Sequence, residues 1–353
     1  MKKILYTLCL LVYATFVFSG CADREVPLEP IVLESTIYSG EPENNENAVN
    51  SSESVSDEPQ EIVIDPTLTV YEENIPIPGL KESFDLVFVS DTHLTLSDER
   101  DYELQEYMAG RYEMFRNDNG AGSEESFHDI IKYVSDIKPD LLALGGDITD
   151  AATWSNVEYL DELLLKAGCP WIYEMGNHDF NYGSQEYFSE RAYSELFPRF
   201  QNVTNSSNGY QLMEYDKFII FAVDDKNNQI PENAVAEFKK SIKKKKPIIL
   251  ISHVPFEPLA ENTLHSRTIE VWGADESGAS KVLIGPHGKI PDANTEEFLQ
   301  MVYDENSPVV LVLSGHVHFY HKEYLKEDLL QIISGPGFKK EIIKINLVPL
   351  DSV

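Results

Sequence analysis

Two stretches decide how this chain folds: Leu86-Val87-Phe88-Val89-Ser90-Asp91-Thr92-His93 and Val309-Val310-Leu311-Val312-Leu313-Ser314-Gly315-His316-Val317-His318. Each is a short continuous apolar run, the pattern of a strand buried on both faces. Each run ends within a few residues in side chains that bind metals. The pattern recurs between them. Leu141-Leu142-Ala143-Leu144 leads into Gly146-Asp147-Ile148-Thr149-Asp150, and Trp171-Ile172-Tyr173-Glu174-Met175 into Gly176-Asn177-His178-Asp179. Ile248-Ile249-Leu250-Ile251 is followed by His253. A further run, Phe218-Ile219-Ile220-Phe221, carries no histidine after it.

Helical segments lie between several runs. Ile130, Val134 and Ile137 share one helical face, and Trp154, Tyr159, Leu163 and Leu164 mark a second helix. A third is bounded by Pro231 near its start and Pro247 after its end. Strands alternating with helices give a layered α/β fold. In open α/β sheets, ligands collect at the carboxyl ends of strands. Five ligand clusters ending five strands therefore converge, however far apart they stand in sequence. In Asp91-x-His93 and His316-x-His318 the partners are two residues apart, so extended backbone points both the same way. The glycines before Asp147, Asn177 and His316 are expected to let the chain turn sharply there. Carboxylate, imidazole and amide oxygen together suit borderline or hard divalent ions such as Mn, Fe or Zn, without the cysteines of a structural zinc site.

The chain has 353 residues, 42% of them hydrophobic and 11% aromatic, which excludes disorder over its whole length. Sixty acidic residues against 28 basic ones give a formal charge of -32. That charge repels phosphate backbones, so general nucleic-acid binding is not expected. Three cysteines cannot build a disulfide framework.

On these motifs the chain resembles the calcineurin-like metallophosphoesterases over roughly residues 84 to 320. The resemblance implies a β-sandwich of two mixed sheets flanked by helices. It implies two divalent metal ions: Asp91, His93 and His318 would hold one, Asn177, His253 and His316 the other, and Asp147 would bridge them. His178 would act on the substrate as a general acid or transition-state stabiliser. The chemistry agrees, because a metal pair about 3.5–4 Å apart clamps both oxygens of an in-line displacement at phosphorus and lowers the pKa of water. Asp179 is a candidate to orient His178. Purple acid phosphatases of this family place a tyrosine where this chain has Asp150, and they usually lack the His93 equivalent, so an iron-tyrosinate site is not expected. Asp150 reads as an orienting residue or as a helix cap, and the cap is preferred because caps commonly use Asp. His128, His265, His287 and His321 match no motif and read as surface or packing residues.

The chain begins like an exported lipoprotein. Lys2 and Lys3 precede an apolar run from Ile4 to Phe18, too short for a membrane span, and Ser19-Gly20-Cys21 follows. Residues 1–20 read as a signal peptide and Cys21 as the lipidated residue. Residues 22–79 hold fourteen acidic residues, seven prolines and one basic residue, Arg24. Such a composition cannot offset the entropy of ordering, so 21–79 reads as an acidic tether and 80–353 as the catalytic domain. Glu61-Ile62-Val63-Ile64 alternates weakly, so part of 60–78 is a candidate edge strand. Cys169 reads as a buried structural thiol.

Two stretches, 95–127 and 256–307, are expected near the metal edge. Arg111 and Arg116 in the first are candidate substrate-phosphate contacts, and Trp272 in the second is a candidate to stack on a base or sugar. Lys239-Lys240-Ser241-Ile242-Lys243-Lys244-Lys245-Lys246 precedes a strand and reads as a solvated helix end at the opposite edge. The expected function is extracytoplasmic hydrolysis of small phosphate mono- or diesters by a membrane-anchored enzyme. The alternative is a non-catalytic metal-binding scaffold on the same fold. Whether Ile342–Val353 closes a sheet or reaches a partner is open at this stage.

Overall fold

The computed structural model describes residues 65–180, 192–204, 209–259 and 263–350. The expected signal peptide, Cys21 and the expected tether as far as residue 64 lie outside the described residues.

Eleven described strands form two mixed sheets. The first has the order β1 (Thr69–Ile77), β11 (Glu341–Pro349), β2 (Phe84–Val89), β3 (Leu141–Leu144), β4 (Trp171–Tyr173). The second runs β5 (Tyr210–Glu214), β6 (Ile219–Val223), β7 (Ile248–Ser252), β8 (Val309–Ser314), β10 (Leu329–Ile333), β9 (His321–Lys326). The helices are α1 (Gln105–Met114), α2 (Ser123–Ile137), α3 (Trp154–Ala167), the single turn α4 (Gln201–Thr204), α5 (Glu232–Lys243), α6 (Thr263–Trp272), the short α7 (Glu276–Ser280) and α8 (Ala293–Tyr303). None of the described helices is long and apolar enough to cross a membrane.

The layering follows from the double burial of the strands. Leu86, Phe88, Leu141, Ala143 and Ile172 face Ile220, Ala222, Ile249, Ile251, Leu311 and Leu313 between the sheets. The alternate residues Val87, Val89, Leu142 and Leu144 pack outward against Ile130, Val134, Leu160 and Leu163 of α2 and α3. On the other side Ile219, Phe221, Ile248 and Leu250 pack against Val235 and Phe238 of α5 and Phe298 and Val302 of α8. Every strand position here is apolar because both faces of each sheet are covered. The expected β-sandwich of two mixed sheets flanked by helices is the fold observed.

The folded part begins before residue 80. Thr69–Ile77 lies within the expected tether, yet it pairs in parallel with β11 at the edge of the first sheet. Ile75 and Ile77 drop into the core between the sheets, and that burial overrides the acidic, proline-rich composition. The alternating stretch Glu61–Ile64 is outside the described residues. The C-terminal segment takes an inner place: β11 sits between β1 and β2, with Ile345 opposite Leu86.

β2, β3 and β4 run parallel, as do β6, β7 and β8. Their carboxyl ends therefore define one edge of each sheet, where the ligand clusters begin.

Candidate metal centre

The loops after β2, β3, β4, β7 and β8 interlock through their backbones. Asp91 N–H donates to Gly146 O at 3.0 Å and His93 N–H to Asp147 O at 2.9 Å. Gly315 N–H donates to His253 O at 3.0 Å. His316 N–H reaches the Asp91 carboxylate at 2.9 Å. These ties hold a costly geometry. Asp91, His93, Asp147, His316 and His318 all have positive φ, between 49° and 74°. A left-handed L-residue costs roughly 1–2 kcal/mol, so five approach the whole net stability of a domain, roughly 5–15 kcal/mol. Such strain persists only where the surroundings over-determine it, and it clusters at functional sites.

The glycines have two different reasons. Gly146 has φ +88°, the turn expected of it. Gly315 is needed for close approach instead: a Cβ there would stand 1.9 Å from Ser90 Oγ and 2.4 Å from Asp91 Oδ2.

Among the described residues the side chains gather into two separate triads of possible ligands, Asp91, His93 and His318, and Asp147, His253 and His316, with a third group, His93, Asp150 and His178, overlapping the first. In the first, His93 Nε2 lies 3.0 Å from His318 Nε2, and His318 Nε2 lies 3.4 Å from Asp91 Oδ1. In the second, His253 Nε2 lies 3.1 Å from Asp147 Oδ2. The same Asp147 oxygen lies 3.9 Å from His93 Nε2, which places Asp147 between the triads. Asp91 and His93 are fully buried, and His316 and His318 are partly exposed.

The donor set fits divalent cations on three counts. The ligand atoms are all nitrogen or oxygen. Two ring orientations are fixed from behind: His253 Nδ1 faces Gly145 O at 2.8 Å and His93 Nδ1 faces Asp150 Oδ1 at 3.0 Å, which leaves each Nε2 lone pair directed inward. Finally, Asn177 Oδ1 and His253 Nε2 are buried without a hydrogen-bond partner among the described residues. Orphaned buried polar atoms at a strained, charged edge are what a cation would satisfy.

Protons stand in for that charge in the metal-free protein. Burial alone would raise the Asp147 carboxyl, but His253, His178 and His93 outweigh it and hold the group well below the usual carboxylate range. Burial would lower His253, yet Asp147, Asp91 and Asp225 push it up to about 10. His178 is also raised, because Asp147 and Asp150 outweigh its burial.

Asp150 is a correction to the sequence reading. The cap of α3 is Thr153, whose side chain accepts from Asn156 N–H. Asp150 is buried in the site instead. It faces His93 Nδ1 and His178 Nδ1, each at 3.0 Å, the latter contact off the line of a hydrogen bond. Arg111 meets it in a fork, Nε to Oδ2 at 2.5 Å and Nη2 to Oδ1 at 2.8 Å. Asp179 does not orient His178. Its carboxylate accepts from the backbone N–H groups of Asp147, Thr149 and Gly176, each at 2.7 Å, and so cross-ties two ligand loops.

Of the two candidate arginines, Arg111 reaches the centre through Asp150. Arg116 is exposed and bonds Glu113 and the Gly120 carbonyl. Phe115, the residue that caps the end of α1, stacks on the His93 ring with centroids 4.0 Å apart. Asp225, after β6, went unflagged in the sequence, although it accepts from Ser252 Oγ and from the N–H groups of His253 and Val254. The signal was there: an acid ends the sixth apolar run, but no histidine stands beside it. Cys169 is half-buried, and burial raises its thiol.

A sandwich of mixed sheets with two ligand triads on one strand edge defines a metal-dependent phosphoesterase. The family description Calcineurin-like phosphoesterase matches residues 84–320, and the chain belongs to that family. Comparison with curated proteins returns no match. Among solved structures, a dimetal phosphatase from Danio rerio is 13% identical, with 75% of this chain and 92% of that chain covered at a TM-score of 0.43. A purple acid phosphatase from yellow lupin (Lupinus luteus) seeds is 15% identical, with 76% and 46% covered at 0.43. A calcineurin-like phosphoesterase from Bacillus subtilis is 13% identical, with 75% and 84% covered at 0.38.

Proposed function

We propose that this phosphoesterase works outside the cytoplasm, held to the membrane by a lipid on Cys21, and hydrolyses small phosphate esters with two divalent ions, Mn, Fe or Zn. Asp91, His93 and His318 hold one ion; Asn177, His253 and His316 hold the other; Asp147 serves both. The observation that carries this reading is the place of Asp147 Oδ2, 3.1 Å from His253 Nε2 of one triad and 3.9 Å from His93 Nε2 of the other. Bound divalent ions supply Lewis acidity toward phosphoryl oxygen and lower the pKa of water.

The chain's own residues do the rest. His178 stands beside Asp147 and Asp150, and their charge keeps its proton available near neutral pH. It donates that proton to the leaving oxygen or stabilises its charge. Asp150 orients the His93 ring by hydrogen bonding and faces His178 with its charge, and Arg111 holds Asp150 in place. Arg111 remains the candidate substrate-phosphate contact, since its side chain keeps partial solvent exposure. Small diesters or nucleotide-type esters are favoured over long nucleic acids, which a chain of charge -32 repels at low salt.

The test is hydrolysis of bis-p-nitrophenyl phosphate with added manganese, by the wild type and by Asp147→Asn. Turnover by the wild type and a loss of more than about a hundredfold in the variant are expected, beyond the range for residues that only support a ligand. Wild-type protein that binds metal but turns over neither this diester nor the monoester p-nitrophenyl phosphate would end the reading.

A further inference from the structure

The helical insert between β7 and β8 contributes α6, whose last residue is Trp272. The helix is fastened at both ends. At its start Glu323 of β9 accepts from Leu264 N–H at 3.1 Å and from Thr263 Oγ1 at 2.9 Å. At its end the Trp272 indole Nε1–H donates to the Val317 carbonyl at 3.0 Å. Between them, Leu264 joins Val282, Leu283, Val317, Phe319 and Ile333 in a separate apolar cluster. Val317 lies between His316 and His318, the two ligand candidates after β8.

We propose that Trp272 is a positioning residue for His316 and His318, acting through the Val317 carbonyl; this rests on the reading of those histidines as metal ligands. A peptide group is planar, so the Val317 carbonyl and the His318 N–H turn as one unit. A donor that fixes the carbonyl fixes the plane from which His318 departs with φ 57°. His316, on the other side, has φ 74°. Facing the sheets, the loop is tied by His316 N–H to Asp91, Gly315 N–H to His253 O and Val317 N–H to Gly315 O. Trp272 ties the same loop to the end of α6. Indole nitrogen is a donor only, so the contact has one polarity and no alternative. Trp272 is 45% exposed, so its packing contributes less to the fold than that of a buried tryptophan would.

The test uses the full chain. Manganese is titrated calorimetrically into metal-free wild type, Trp272→Phe, Leu264→Ala and His316→Ala, and the metal-free melting temperature of each is measured. Trp272→Phe keeps an aromatic ring and removes the donor. It is expected to weaken manganese binding about tenfold, the lower bound for residues that orient a ligand, with an unchanged metal-free melting temperature. Its hydrolytic activity should fall at limiting manganese and return with excess. Wild-type affinity in Trp272→Phe, with metal lost in His316→Ala, would overturn the positioning role and leave the ligand reading standing. An affinity loss accompanied by a lower melting temperature, and matched by Leu264→Ala, would overturn it as general loosening. Unchanged affinity in His316→Ala would instead remove the ligand reading on which the proposal rests.

Discussion

The two edges of the same sheets obey opposite rules. At the carboxyl edge, Asp91, His93, Asp147 and His253 are buried, five backbones are left-handed, and Asn177 Oδ1 and His253 Nε2 have no hydrogen-bond partner among the described residues. At the amino edge of β6 and β7, Lys239 and Lys244 are exposed, Lys246 is partly so, and each meets a counter-charge. Lys244 and Lys246 bond Glu214 at 2.5 and 2.9 Å, and Lys239 pairs with Glu297 at 2.6 Å. The amino edge is not free of local exceptions, since Lys245 has φ 55° and Ser241 Oγ is buried without a hydrogen-bond partner among the described residues, but only the carboxyl edge gathers left-handed backbones around buried charges. Proteins tolerate such violations where function demands them, so charge alone does not mark a site. A run of lysines is easier to notice in this acidic chain than a single Asp147, yet it is the uninformative feature.

The comparison breaks first at Asp150, if the carboxyl edge is as tightly coupled as its contacts indicate. Asp150→Asn keeps the shape and removes the charge that faces His93, His178 and Arg111. A loss of about 10–100-fold in kcat/KM is expected, the range for residues that orient metal ligands. Arg111→Ala should follow in the same direction with a smaller loss. If Arg111 acts by holding Asp150, kcat falls; if it binds substrate phosphate, KM rises for the monoester dianion. Steady-state kinetics on mono- and diester substrates separate the two, and wild-type kinetics in both variants would show that the edge is not coupled through Asp150.

Proton release on metal binding sharpens the comparison. His253 is pushed up to about 10 in the metal-free protein, largely by Asp147 against the cost of burial. A metal ligand must be neutral imidazole, so manganese must displace that proton. The sign is fixed: affinity rises with pH toward about 10 and falls as the solution becomes more acidic. At pH 7, calorimetry in buffers of different ionisation enthalpy should show about one proton released at this histidine, rather than the few tenths expected of an ordinary one with pKa near 6.5. Metal binding with no proton release would mean that His253 is already neutral.

How much of this was legible depends on whether the cause is local. The six apolar runs and the ligands that end five of them are visible because double burial leaves no polar residue in a strand. The α2, α3 and α5 helices show through their spacing and their proline boundaries. β1 showed only as a candidate edge strand within 60–78, because its partner, β11, lies at the far end of the chain and a Pro-rich, acidic composition pointed the other way. Asp150 was misread because an Asp ahead of a helix looks alike whether it caps or turns inward. Asp179 stood next to His178 in sequence, but its carboxylate faces the backbone instead. Adjacency along the chain says little about which way a short side chain points after a turn.

The amino edge supplies the smallest expected effect. Lys244→Ala combined with Lys246→Ala removes two solvent-exposed pairs to Glu214, which salt screens and side-chain entropy largely cancels. Hydrolysis of a soluble substrate should stay within about twofold of wild type, as for surface changes away from any special feature. Any difference in melting temperature should shrink as ionic strength rises. A larger loss with soluble substrate would mean that strain at one edge is transmitted along β6 and β7 to the other. A loss confined to substrate presented on anionic vesicles would have a different cause, contact between this lysine-rich edge and the membrane surface. Either result would give the amino edge a role that its satisfied, exposed charges do not require.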